Sequence, residues 1–264
     1  MHFWKAHAYG NDFLYARQAD IGDRDPAVLA QTMCARHTGV GADGLILFDD
    51  EADVVRMRLV NADGTPAEVS GNGVRALAAL LARTRGRGDV GEVFAIDTDA
   101  GRKTLTLVAR DEQDRPVFRA AMGQPESLQQ VEVEVDGRRL PLVTLWMGNP
   151  QAVWLVEHLD EREMLAVGAA LQRHPSFPQA TNFELATVTT PSEVHILIYE
   201  RGVGPTLSSG TGSCAAAVAA AAYGGADRAV DVVAPGGRQH VEWTSAGVWL
   251  TGWAEVVLEG HWMP

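Results

Sequence analysis

Two tetrapeptides constrain this chain more than anything else in it. Ser70-Gly71-Asn72-Gly73 opens one alanine-rich stretch and Ser209-Gly210-Thr211-Gly212 opens another, with the serines 139 positions apart. Upstream landmarks keep nearly the same offset: Gly10-Asn11 and Gly148-Asn149 are 138 apart, and Asn61 and Glu200 each precede their serine by nine residues. Unrelated segments have no reason to share a ruler, so two structurally similar halves are expected. A chain of 264 residues divides into halves of about 130, an ordinary domain size. The polar run Gly123-Gln124-Pro125-Glu126-Ser127 lies near the midpoint and reads as a linker. This gives domains 1–123 and 128–264, with the last strand free to return to the first. Such halves would face each other across a cleft, a common place for a small-molecule site.

Short runs of strand character recur at 45–48, 54–60, 93–97, 104–109, 131–135, 142–146, 186–190, 194–200, 229–234 and 248–259. Helical patterns are fewer, at 74–85, 161–172 and 213–223, with a weaker one at 27–37. Many strands with few central helices predict an α+β fold rather than a doubly wound parallel sheet.

Composition narrows the function. A formal charge of −12 disfavours nucleic acid and anionic membrane as partners, since both need a positive field. The longest apolar run, 214–223, is too short to cross a bilayer, and no signal core follows Met1-His2-Phe3-Trp4-Lys5, so a cytoplasmic location is expected. Cys34 and Cys214 lack disulfide or metal spacing and read as reduced core thiols. A pyridoxal enzyme needs a Schiff-base lysine, but Lys5 sits in a strand-like segment and Lys103 beside a turn. The run Gly39-Val40-Gly41-Ala42-Asp43-Gly44 precedes a strand and opens no helix, unlike a dinucleotide loop. The eight histidines are scattered, so no metal and no cofactor is expected.

A Ser-Gly-x-Gly turn ahead of a helix leaves backbone N–H groups free at the positive end of the helix dipole, where an anion can approach closely. Each junction is therefore a candidate carboxylate seat, although Ser70 and Ser209 would also serve as plain helix caps. Two seats, one from each half, would set two polar side chains on opposite faces of one α-carbon. That is the geometry of two-base racemisation, in which one group removes the α-proton and the other delivers one.

The same segments, with others in order along the chain, resemble diaminopimelate epimerase. They are Lys5-Ala6-His7-Ala8-Tyr9-Gly10-Asn11-Asp12-Phe13, Arg36-His37-Thr38-Gly39-Val40-Gly41-Ala42-Asp43-Gly44, Asn61-Ala62-Asp63-Gly64, Glu68-Val69-Ser70-Gly71-Asn72-Gly73-Val74-Arg75, Met147-Gly148-Asn149-Pro150, Thr181-Asn182-Phe183-Glu184 and 200–212. The resemblance implies two pseudo-symmetric domains, each a mixed or antiparallel sheet wrapped around a central helix, with the site between them. It implies that Gly71, Asn72, Gly210 and Thr211 hold the reacting carboxylate. Asn11, Asn61, Asn149, Asn182, Glu200 and Arg201 would frame the rest of a small amino acid with two charged ends. Arg201 suits a distal carboxylate because its planar fork pairs bidentately. The implied reaction interconverts LL- and meso-diaminopimelate, precursors of lysine and peptidoglycan, without a cofactor. A homodimer is the default assembly.

The chain departs from that family at the chemistry. Cysteine is expected where Ser70 and Ser209 stand, and histidine is usual where Gln151 stands. A helix start can tune a thiol of pKa about 8.5 into a working base; an alcohol is far less acidic, so proton abstraction by either serine should be poor. Three readings stay open: a scaffold whose cysteines were deliberately replaced; a divergent isomerase or elimination enzyme using another base, with Glu200 or Asp63 nearest in sequence; and a binding protein that kept the pocket without the chemistry.

Overall fold

The computed structural model describes residues 1–50, 54–86 and 88–263. The chain divides into two compact units, Met1–Ala120 with Trp253–Pro264, and Ala121–Gly252. The boundary falls just ahead of the polar run at the midpoint, most of which is strand rather than linker.

In the first unit β1 (His2–Ala8) turns back antiparallel onto β2 (Asn11–Arg17), and β2 lies parallel to β3 (Gly44–Asp49). Then β3 pairs antiparallel with β4 (Val55–Asn61), which takes the short β5 (Pro66–Ala67) antiparallel and β6 (Val93–Thr98) parallel. The antiparallel run closes with β7 (Gly101–Arg110) and β8 (Pro116–Gly123). In the second unit β9 (Glu126–Val135) precedes β10 (Arg138–Trp146), β11 (Pro150–Leu155), β12 (Asn182–Thr190) and β13 (Glu193–Glu200). After them come β14 (Gly204–Thr206), β15 (Ala229–Ala234), β16 (Gly237–Thr244) and β17 (Gly247–Trp253). From β10 onward the pairing repeats the first unit step for step: antiparallel, parallel, antiparallel, a short antiparallel strand beside a parallel neighbour, then antiparallel again. The outer strand of β10 is β9, whereas that of β1 is β18 (Glu255–His261), the last strand of the chain. The fold is thus α+β with two pseudo-symmetric units.

Each sheet has a helix on either face. In the first unit the alternation along β3 separates them: Ile46 and Phe48 pack with α2 (Gly71–Thr84), Leu45 and Leu47 with α1 (Pro26–Cys34). The second unit repeats this on β12, where Ala186 packs with α4 (Gly210–Ala219), and Phe183 and Leu185 with α3 (Glu161–Leu171). The α2 and α4 helices are buried almost all round, as expected of a helix enclosed by its sheet rather than laid on it. Alanine dominates α4 because a small side chain lets strands approach from several directions. No described helix is long and apolar enough to cross a membrane.

Candidate active site

Both Ser-Gly-x-Gly junctions are helix starts, and they are built alike. Ser70 Oγ accepts from the Gly73 N–H at 3.1 Å, and Ser209 Oγ accepts from the Gly212 N–H at 3.2 Å. The helices begin at Gly71 and Gly210, earlier than the patterns at 74–85 and 213–223 suggest. The glycines therefore belong to the first turn, where N–H groups lack intrahelical partners. Ser209 is 6% exposed, while Ser70 is half-buried and Gly71 is open to solvent.

In the first unit a tight Tyr9-Gly10 turn, with both residues at positive φ (56° and 87°), delivers Asn11 to the α2 start. Asn72 Nδ2 donates to Asn11 Oδ1 at 3.3 Å, and Asn11 Nδ2 donates to Asp43 Oδ2 at 2.8 Å. Asp43 is held by Arg36 at 2.7 Å, and Arg36 also reaches Asp12, which pairs with Lys5 at 2.8 Å. Burial pushes the Asp12 carboxyl upward, but Lys5 and Arg36 outweigh it and hold it below the usual range. Buried Arg75 donates to Asn72 Oδ1 at 3.4 Å and lies 5.8 Å from the Tyr9 ring centroid, adding positive charge under the junction. Asn61 stands apart from these bonds, its side chain donating to Thr65 Oγ1 at 3.0 Å within its own turn. Asp63 also serves that turn. Its carboxylate accepts from the Thr65 hydroxyl and N–H, which lower its pKa and make it a weaker base than its place in the sequence suggests.

In the second unit Asn149 takes the part of Asn11, its Nδ2 donating to Thr211 Oγ1 at 3.4 Å. Asn182 is a clamp: its Nδ2 donates to the Pro150 carbonyl at 3.0 Å, and its Oδ1 accepts from the Arg201 N–H at 3.0 Å. Glu200 Oε1 accepts from the Thr206 hydroxyl at 3.0 Å. Exposed Arg201 donates to the Gln179 carbonyl at 3.3 Å and makes no ion pair among the described residues, so its guanidinium is open to a further anion.

Arg36, Asp43, Arg75 and Glu184 join the site through its geometry rather than through any motif spacing. Glu184 is the most informative of these, since it is fully buried behind the Ser209 junction. Neither cysteine replaces the missing thiols. Cys214 is buried within α4, and burial, with Asp12 and Asp43 adding, pushes the Cys34 thiol up to about 12.

Residues 3–128 and 143–257 match the family model described as diaminopimelate epimerase. The chain belongs to the diaminopimelate epimerase family. Its relatives include the diaminopimelate epimerase of Desulforudis audaxviator, 38% identical with 100% of this chain and 99% of the relative covered, and that of Desulfitobacterium hafniense, 36% identical with 98% and 97% covered. Among solved structures, a PhzF-family phenazine biosynthesis protein from Bacillus anthracis superposes with a TM-score of 0.77 at 16% identity, covering 100% of this chain and 99% of that one. A probable proline racemase from Agrobacterium radiobacter K84 gives 0.68 at 16% identity, covering 99% and 92%. Those two likenesses speak to the fold. Family membership makes the chain an isomerase of the epimerase and racemase type.

Proposed function

We propose that the protein binds an amino acid with a second charged end, with diaminopimelate the leading candidate, and that inversion at its α-carbon is slow. The supporting observation is the matched pair of helix starts, Ser70 to Gly73 and Ser209 to Gly212, each joined to the asparagine of a Gly-Asn turn. Backbone N–H groups at Gly71, Asn72, Gly210 and Thr211 would hold the reacting carboxylate and stabilise it as it gains enolate character. Asn11, Asn61, Asn149, Asn182 and Glu200 would frame the remainder, with Arg201 taking the distal carboxylate.

Ser70 and Ser209 occupy the two acid and base positions, and their capping bonds favour binding over catalysis. Each oxygen already accepts a helix N–H, so the hydroxyl is better placed to donate a hydrogen bond than to take a proton. A member of the family that binds its ligand with negligible turnover is the second reading. Incubation with LL- and meso-diaminopimelate in deuterated water, beside calorimetry, tests both. Measurable binding with slow α-proton exchange is expected; exchange as fast as in Ser70→Cys/Ser209→Cys would refute the impairment, and absence of binding would refute the substrate. A homodimer is part of this reading on symmetry grounds alone, and sedimentation at working concentration checks it.

A further inference from the structure

Behind the Ser209 junction lies a carboxyl group for which the proposed reaction has no use. Strand alternation turns Glu184 to the same face of β12 as Ala186, the α4 face. It lies so close beneath the helix start that a Cβ on Gly212 would meet its Oε1 at 2.5 Å. Its polar neighbour is the Gln151 amide, itself 1% exposed. One end of that amide sits 3.0 and 3.3 Å from the two Glu184 oxygens; the other sits 2.6 Å from Asn149 Oδ1 and 3.1 Å from Thr211 Oγ1.

The two ends of an amide are chemically opposite, so the protonation of Glu184 decides which way Gln151 points. An ionised carboxylate only accepts and demands the NH2 group. The Gln151 carbonyl then accepts from the Thr211 hydroxyl, which donates inward, and Asn149 must turn its own amide so that its NH2 rather than Oδ1 meets that carbonyl. A neutral acid instead donates to the Gln151 carbonyl. The NH2 then donates to Asn149 Oδ1 at 2.6 Å and lies 3.1 Å from Thr211 Oγ1, to which Asn149 Nδ2 donates at 3.4 Å. Faced by two NH2 groups, the Thr211 hydroxyl directs its proton outward.

We infer that Glu184 is a positioning residue for the ligand carboxylate: as the neutral acid it orients the Gln151 amide so that the Thr211 hydroxyl donates to that carboxylate. The role rests on reading the α4 start as a carboxylate seat. Burial, with the charge of Glu200 adding, pushes the Glu184 carboxyl well above the ordinary glutamate range. Around it, β13 presents Glu200, while β11 and α4 present Gln151 and Gly212, neither of which titrates.

Infrared difference spectra of the ligand-free chain against Glu184→Gln test the protonation. A carboxylic-acid C=O band is expected in the parent at neutral pH, and its absence overturns the inference. Calorimetry with meso-diaminopimelate tests the role. As the band disappears with rising pH, the parent's affinity is expected to fall by about tenfold, the loss of one charge-assisted hydrogen bond. Glu184→Gln keeps an NH2 donor toward the Gln151 carbonyl and should hold its affinity, and Thr211→Val should show the parent's high-pH affinity throughout. Parallel pH curves for parent and Glu184→Gln overturn the inference. If the parent binds no diaminopimelate, the substrate reading fails, and ligand-free NMR decides the inference separately. The Thr211 and Gly212 amide shifts must follow the band's midpoint in the parent and stay flat in Glu184→Gln; shifts that ignore the band overturn it.

Discussion

A hydroxyl and a thiol at one helix start differ chiefly in acidity, and that difference sets what Ser70 and Ser209 can do. The helix dipole and free N–H groups can bring a thiol into the working range but leave an alcohol protonated. General acid–base catalysis is worth about 10²–10⁴-fold, so Ser70→Cys/Ser209→Cys should raise α-proton exchange by about that factor. Two-base inversion needs one base per face of the α-carbon. Each single cysteine variant should therefore wash deuterium into one configuration without interconverting LL- and meso-diaminopimelate. Mass spectrometry and chiral separation check this, and equal inversion by a single variant would contradict it. Glu184 adds a dependence of stability on pH. Its carboxyl holds a proton more tightly folded than unfolded, so its contribution is fully present below the unfolded value and is lost as pH rises through the raised folded one. The parent should lose stability relative to Glu184→Gln over that window, as read by urea unfolding at successive pH values; equal slopes would remove the effect.

Elements were legible where apolar periodicity ran unbroken and obscure where small or polar residues carried the structure. The patterns at 74–85 and 213–223 miss the first turns of α2 and α4 because glycine is a poor helix former, yet that turn is the part that meets a ligand. The strand pattern at 186–190 starts late because Asn182 and Glu184 do not look like strand residues. Glu184 is hard to read for the same reason: its clue is a charge at an inward position between Phe183 and Leu185, visible only once β12 is known to begin at Asn182. The run 248–259 reads as one strand because its one turn-type residue, Gly252, lies inside β17 and the break at Ala254 between β17 and β18 carries none. Contacts between elements carry their own test. Gly168 on α3 lies against the ring of Tyr199 on β13, and an added Cβ would meet Tyr199 Cγ at 2.5 Å. Gly168→Ala should push α3 off its sheet and cost about 1–3 kcal/mol, measured by chemical denaturation. An unchanged midpoint would show that Tyr199 swings clear at no cost.

At the scale of the whole chain the repeat was readable as an offset, but the exchange of its outer strand was not, since an offset says nothing about which strand completes which sheet. The second unit takes its outer strand, β9, from just ahead of β10; the first takes β18 from the far end of the chain. The first unit is therefore closed by residues that follow the whole of the second unit in sequence. The Trp253 ring packs at a tilt against that of Tyr9 with centroids 4.4 Å apart, the Trp253 backbone N–H donates to the Tyr9 hydroxyl at 3.0 Å, and the Arg115 guanidinium lies 3.7 Å from the Trp253 ring centroid. Next to it the Ala254 N–H donates to the Pro116 carbonyl, and β18 covers β1 from His2 to His7. Removing residues 253–264 would strip these interactions from the unit that carries Ser70 while leaving the pairing from β9 to β16 whole. Losing the aromatic packing of Trp253 alone costs about 3–5 kcal/mol if fully buried and less here, and an open β1 edge adds to it. Limited proteolysis followed by mass spectrometry should therefore cut the truncated chain first within 1–120 and spare 121–252. Uniform resistance would mean that β1 needs no outer partner, and the closing strand would then lose its structural meaning.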